Sequence, residues 1–511
     1  MAPALSHASF CGAAVIILCL FLHRRLKKPR DPRQPKQVPA TIPIPFIGHV
    51  LGLLIYRNHY YTKISQQWNL RIVSLPMFGG NVYVTKSPEL IYSVQRQPKV
   101  LSFWYFEAHF TAKLGGLSQT AANGCFQGVT PESTDECPLI DCLKGTKAAM
   151  SPQGDLNRMI EVATRVMYEG LQNLAQESGS PTDLETWIQH EVMMATTDAV
   201  YGAGNPYRDP KIEAAFWKFA NATMFVALPG ILPSILAPRA VAGREAVVRA
   251  MNQYYASGGH HHASQLTMAR YTALKGTMNI SDIARSECVH GLAIITNSVP
   301  AAFWTVWHVF SDRAVLSRVR DEVESFTAVG EPSTEGVQTR IVDMSRLKEA
   351  HFLFAVIQET LRFRARGTGP RMILEDVTLS GDECEYHIEK GSALILAHEG
   401  MHHNKAVWGP NADTFVADRF LPGNKIPANA FRGFGGGANM CPGKGFATAE
   451  IAALVALLVT RFDLRPVEGK WAEPGQDESN MARENTPPLR KVMVDVVPRV
   501  GLEEVVWKFS T

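Results

Sequence analysis

The sequence predicts a mainly α protein with a small β-rich part, preceded by one N-terminal transmembrane helix. Three observations carry this expectation. Residues 8–22 form an apolar run that is followed by Arg24, Arg25, Lys27 and Lys28. From Leu143 to Ala302 the pattern is mainly helical, with breaks near Pro181, Pro229 and Gly258. The C-terminal third mixes helix with short strand-like pieces such as "RMILEDVTLSG" and "YHIEKGSALILA".

The N-terminal run comes first. Fifteen helical residues span only about 22 Å, short for a bilayer core of roughly 30 Å. A thin membrane and snorkelling flanks narrow that gap. The basic cluster follows the apolar run, whereas a cleaved signal peptide carries it in front. Residues 1–28 are therefore expected to be an anchor with a basic stop, leaving the rest of the chain in the cytosol. Residues 29–47 hold six prolines and should form a stiff, non-helical hinge. Residues 48–511 are long enough for two or three average domains or for one unusually large one.

Bulk numbers agree with a globular protein and exclude little else. The chain is 46% hydrophobic and 19% charged, enough for a sizeable core. A formal net charge of +3 gives no electrostatic case for nucleic acid. Eight cysteines without a C-x-x-C pair suit a reducing compartment.

Two short strands are expected around Gly79-Gly80, then a helix. The segment "FVALPGILPSILAPRAVAG" is conspicuously apolar for a connection. Such segments are most simply buried; a membrane-dipping or ligand-access role is the alternative. His260, His261 and His262 are adjacent and point in different directions, which makes a poor chelating face.

The chemistry is concentrated in "FRGFGGGANMCPGKGFATAE". Its glycines allow positive φ and close backbone approach, so a flat cofactor can lie against the loop. Unpaired backbone N–H groups can point at the Cys441 sulfur. The helical composition that follows should depress the thiol pKa through its N-terminal dipole. A lone thiolate is a soft axial ligand and cannot close a zinc site.

This loop resembles the haem-binding signature of the cytochrome P-450 family, in which the cysteine thiolate is the proximal haem ligand and pushes electron density towards O–O cleavage. The resemblance carries Phe434, Gly435, Gly437, Asn439, Cys441 and Gly443 into cofactor binding. Further elements come in the family's order. Glu359-Thr-Leu-Arg362 looks like its E-x-x-R motif, and "FVADRFLPG" like its F-x-x-E-R-F segment, with Asp418 for Glu and with Arg419. The resemblance implies that Glu359, Arg362 and Arg419 form a buried network beneath the haem. In "PRMILEDVTL", Arg371 is implied to meet a haem propionate, and His402 stands six residues before Trp408-Gly409. The implied fold is a large, mainly helical domain with a small β-rich lobe. The implied cofactor is haem b, with electrons from NADPH through NADPH–cytochrome P-450 reductase at the endoplasmic reticulum membrane.

Departures from the pattern are informative. The distal helix candidate, "ECVHGLAIITNSVPAAFWTVWHVF", lacks the family's acid–threonine pair and offers Thr296, Asn297 and Ser298 as catalytic candidates, with Pro300 kinking the helix. This version is similar to the branch of prostacyclin synthase and the cholesterol 7α- and sterol 12α-hydroxylases. Asn439 occupies a place where most members have a propionate-binding Arg or His, and no Trp-x-x-x-Arg appears in residues 143–165. Propionate recognition therefore leans on Arg371 and on residues that the sequence does not identify. The implied activity is a membrane-anchored monooxygenase that oxidises a bulky, apolar, sterol- or terpenoid-like molecule, with fungal secondary metabolism as its setting. An isomerase acting on an already oxygenated substrate is the alternative, because an amide is a poor proton shuttle.

Overall fold

The computed structural model describes residues 31–77, 80–133, 137–176, 180–333, 336–381 and 384–510. The expected anchor at residues 1–28 lies outside them. The chain divides into two compact units. The first takes residues up to Phe106 together with Thr130–Glu132 and Thr368–Met401. The second comprises Glu107–Val129, Ser133–Gly367 and His402–Thr511.

The first unit is built on a five-stranded sheet. Its strands are β1 (Ile72–Met77), β2 (Gly80–Thr85), β3 (Leu101–Ser102), β4 (Thr368–Ile373) and β5 (Ala393–Ala397), in the order β1-β2-β5-β4-β3. β2 and β5 run parallel; the other pairs are antiparallel. Alternation decides what each face buries. Ile72, Tyr83, Leu394 and Leu396 pack on one side with Leu90, Ile91 and Val94 of the helix Pro88–Gln95. Val73, Leu75, Val84 and Ile395 pack on the other with Tyr60 and Ile64 of the helix His59–Trp68. Both faces are covered, which is why these strands read as apolar runs. The strand pair expected around Gly79-Gly80 is β1 and β2, and the proline-rich stretch enters without helix until Gly48.

The second unit is helical. Its framework comprises α1 (Pro138–Ala149), α2 (Leu156–Gln176), α3 (Leu184–Tyr201), α4 (Ile280–Ile295), α5 (Ser298–Ser311), α6 (His351–Arg364) and α7 (Lys444–Arg461). α7 is buried on every side from Glu450 to Arg461, so its sequence is apolar all round rather than amphipathic. α5 packs against α3, α6 and α7. Two small three-stranded sheets complete the unit, one from Thr182–Asp183, Phe462–Pro466 and Met493–Pro498, the other from Thr327–Gly330, Thr339–Asp343 and Val506–Ser510. The protein is thus mainly helical with small β-sheets. Among the described residues, Ile280–Ser311 is long and apolar enough to cross a membrane, but it is mostly buried, as a core helix must be.

The apolar segment after residue 223 departs from the expectation that it is buried. Phe225, Ile231, Ile235 and Leu236 are all exposed, two of them by 75% and 62%. Two short helices, Thr223–Val226 and Leu232–Leu236, turn these side chains outward because Pro229 and Gly230 interrupt any longer packing surface.

Candidate haem-thiolate site

The second unit gathers the cysteine loop, the Glu359 network and the break in the distal helix. Arg371 belongs to the first unit. It sits on β4 opposite Leu394, is 5% exposed, and its guanidinium donates to the Pro370 carbonyl and faces the Phe103 ring.

The cysteine loop is closed by its own backbone. Cys441 N–H donates to the Phe434 carbonyl (2.9 Å), and Gly435 N–H donates to that of Arg432 (2.8 Å). Gly435 and Gly437 have φ of +71° and +62°, a region closed to most side chains. A Cβ at Gly435 would also stand 3.1 Å from the Asn439 carbonyl oxygen. Gly443 caps α7, and the backbone N–H groups of Gly443 and Lys444 point at the Cys441 sulfur. Lys147 of α1 reaches the Ala438 carbonyl at 3.3 Å.

The expected depression of the Cys441 pKa is corrected by the structure. Burial pushes the thiol up and outweighs the two backbone amides that stabilise the thiolate. The sulfur lies three residues ahead of α7, outside the first helical turn where the dipole acts strongly. A coordinating metal at this position would supply the missing drive, because it deprotonates a thiol outright. Cys441 is also the one exposed cysteine among the six described. A cysteine exposed as a residue, a close-approach glycine turn and amides aimed at its sulfur fit a single axial iron ligand. Among the described residues no group of three or more His, Cys, Asp or Glu could hold a metal by itself.

Below the loop, Glu359 and Arg362 on α6 are both fully buried. Arg362 donates from Nε and Nη2 to the two carboxylate oxygens of Glu359, at 2.7 and 2.8 Å. Its remaining donors reach the carbonyls of His402, Ala412 and Thr414. Arg419 bonds the same carboxylate (3.1 and 3.2 Å), and so does Val416 N–H (2.9 Å). Such a network tolerates burial because the carboxylate meets two guanidinium groups and a backbone amide, and the remaining guanidinium donors reach carbonyls. His402 is fully buried too; its carbonyl takes Arg362 and its Nε2 accepts from Arg432 N–H at 2.9 Å.

The distal candidates sit where α4 gives way to α5. Pro300 has no N–H for the Thr296 carbonyl, and the helix breaks at Thr296-Asn297. Thr296 and Ser298 hydroxyls donate back to the Leu292 (2.7 Å) and Ile294 (3.2 Å) carbonyls. Asn297 Oδ1 accepts from Glu484 N–H (2.9 Å) and Asn485 N–H (3.3 Å). Two backbone donors settle which amide atom is oxygen, leaving the Nδ2 hydrogens to other partners.

Two residues escaped the sequence reading. Arg432 is 2% exposed within the loop itself. Glu450 is buried on α7, takes a hydrogen bond from Thr196 at 2.6 Å, and has its carboxyl pushed up to about 8 by burial. An acid in the middle of "FATAEIAALVALL" was the available signal for the second.

The arrangement defines a haem-thiolate enzyme, and the chain belongs to the cytochrome P-450 family: the Cytochrome P-450 family model matches residues 145–491. The particular relatives are informative. The chain is 30% identical to cytochrome P-450 monooxygenase nodJ of Hypoxylon pulicicidum, over 97% of this chain and 96% of that one. It is 26% identical to a cytochrome P-450 monooxygenase of Gibberella zeae over 91% and 88%. Cholesterol 7-alpha-monooxygenase of Cricetulus griseus is 28% identical over 43% of this chain and 46% of its own. The protein is therefore a monooxygenase that uses haem b, with electrons from NADPH through a reductase and a small molecule as substrate.

Proposed function

We propose that Cys441 is the axial thiolate of this monooxygenase and that Thr296, Asn297 and Ser298 line the face where substrate is oxidised. The observation that carries the reading is Cys441, an exposed residue in a glycine turn with the Gly443 and Lys444 amides aimed at its sulfur. Phe434, Gly435, Gly437, Asn439 and Gly443 shape that seat, and Glu359, Arg362 and Arg419 hold the segments beneath it. Arg371 is assigned to a propionate on the resemblance alone. When bound, the haem supplies oxygen activation.

The chain's own distal groups hold and orient. Thr296 and Ser298 have committed their hydroxyl hydrogens to helix carbonyls, so they present lone pairs and accept. Asn297, fixed through Oδ1, presents Nδ2–H donors that can orient a water or a substrate oxygen. Proton delivery is thereby assigned to ordered water held by these groups, because none of the three is an acid. The substrate is a bulky, apolar, sterol- or terpenoid-like molecule. That class is supported by the likeness to cholesterol 7-alpha-monooxygenase.

The same reading places the enzyme at the endoplasmic reticulum membrane, with residues 1–28 as anchor, residues 29–47 as hinge and residues 48–511 in the cytosol. Exposed apolar side chains support contact with a bilayer: Val50, Leu54 and Ile55 on the helix Gly48–Tyr56 of the first unit, and Phe225, Ile231, Ile235 and Leu236 on the second.

Cys441→Ala tests the core of the proposal. The variant should lose the red-shifted Soret band that a thiolate ligand produces in the reduced carbonyl complex, and lose all turnover. Retention of that band would assign the axial ligand elsewhere.

A further inference from the structure

Charge accounting inside the second unit leaves one residue over. Its buried arginines are Arg362, Arg364, Arg432, Arg461 and Arg483. Four of them donate side-chain hydrogen bonds. Arg362 goes to Glu359 and three carbonyls, Arg364 to Glu473 and His308, Arg461 to Gln172, and Arg483 to Asn221. Arg432, at 2% exposure, is the exception: among the described residues its guanidinium makes no hydrogen bond and no ion pair, and its Nε is fully enclosed. Glu484 attracts it from a distance, but burial outweighs that attraction and works against the charged form. Arginine stays charged in proteins, and a buried charge without a partner is strongly unfavourable. The position calls for an anion that the described residues do not supply.

The backbone around Arg432 says where that anion belongs. Arg432 N–H is held by His402 Nε2 at 2.9 Å, and its carbonyl accepts from Gly435 N–H at 2.8 Å, inside the turn that presents Cys441. Seven residues on, Asn439 stands where the resemblance expects a propionate-binding cation, and its amide makes no hydrogen bond among the described residues. One position of the loop is neutral where a cation was expected; another is a cation with no partner among the described residues. Haem b carries two carboxylates at its rim, and a planar guanidinium matches a carboxylate with two parallel donors.

We propose that Arg432 is the cation that holds a haem propionate in this protein, replacing the charge that Asn439 does not carry. The inference rests on the assignment of Cys441 as axial ligand. Arg432 is a positioning residue here: it touches the cofactor's carboxylate and fixes the orientation and retention of the haem, with no part in the oxidation itself.

Arg432→Gln and Arg432→Lys in the full-length holoprotein test it, read by the propionate-bending bands of the resonance Raman spectrum and by the rate of haem transfer to apomyoglobin. Arg432→Gln should shift those bands and speed haem loss about tenfold to a hundredfold, the scale of one charge-assisted hydrogen bond. Arg432→Lys should keep more haem but still shift the bands, because an ammonium cannot reproduce the fork. Parental bands and a parental transfer rate in Arg432→Gln overturn the proposal. If Arg432→Gln accumulates without haem, the bands of Arg432→Lys decide in the same way. If both lack haem, a parental circular dichroism spectrum supports the proposal, and an unfolded chain overturns it in favour of a purely structural arginine. The reduced carbonyl spectrum of the parent separates the two readings. A thiolate band with unmoved propionate bands in the variants sinks the Arg432 inference alone; no thiolate band in the parent sinks the Cys441 assignment.

Discussion

Beneath the cysteine loop and at the distal helix break, the same unit solves two different problems. Glu359 is met by two arginines and a backbone amide, and Arg362 spends its donors on the carboxylate and three carbonyls. Nothing there can move without exposing a buried charge. At the break, a missing proline N–H has loosened the helix, and one amide oxygen joins Asn297 to residues 484–485. The first region is specified many times over; the second hangs on a few neutral bonds and keeps two donors without a partner among the described residues. On the proposed roles, rigidity falls beneath the cysteine that would hold the iron, and adjustability where a substrate would be accommodated.

The comparison can be broken most severely at Arg362. Arg362→Ala leaves the Glu359 charge buried with only part of its pairing, a change on the order of 3–5 kcal/mol. Thermal unfolding and pyridine-haemochrome content should show a chain that folds poorly and retains little haem. A stable, fully loaded variant would mean that the network is redundant.

A second test uses pH. Glu450 binds its proton more tightly when folded, since its carboxyl is raised from 4.5 to about 8. Between those values the native state holds a proton that the unfolded chain has released. Its contribution therefore falls as pH rises from about 4.5 to about 8, by at most about 1.4 kcal/mol per unit. Glu450→Gln should flatten that part of the stability–pH profile of the holoprotein relative to the parent. Identical slopes would show that the carboxyl is ionised in place.

The smallest effect separates the two duties of Asn297. Asn297→Ala removes the tie to residues 484–485 and should cost about 1–2 kcal/mol with haem still bound. Asn297→Asp keeps the acceptor and loses the donors, so stability should recover while turnover or product distribution stays altered. If Asn297→Asp matched the parent in product, the Nδ2 donors would have no role.

Much of this was legible in the residues. Glycine at 435 and 437, the lone cysteine and the helix after it are local requirements, and local conformation is what a short sequence encodes. The strand pair at residues 72–85 and the helical run from residue 143 follow from period and punctuation in the same way. The Glu359–Arg362 pair was ambiguous by itself, because an i, i+3 acid–base pair looks alike on a wet surface and in a core. The thiol pKa was misjudged because helix composition announces a dipole but says nothing of the protein packed around the sulfur. The exposed residues of "FVALPGILPSIL" were misplaced for a related reason: apolar composition does not say which way a short helix faces.

The sequence by itself determined the chemistry available: one cysteine in a glycine turn, an acid–base motif on a helix, an amide before a helix-breaking proline. Only the tertiary structure decided which of those charges are buried and which have partners. Burial and pairing are properties of neighbours brought in from distant parts of the chain. Glu359 meets Arg419 across 60 positions, and Asn297 meets Glu484 across 187. Arg432 shows the same rule from the other side, since its lack of a partner among the described residues became visible only with its neighbours in place.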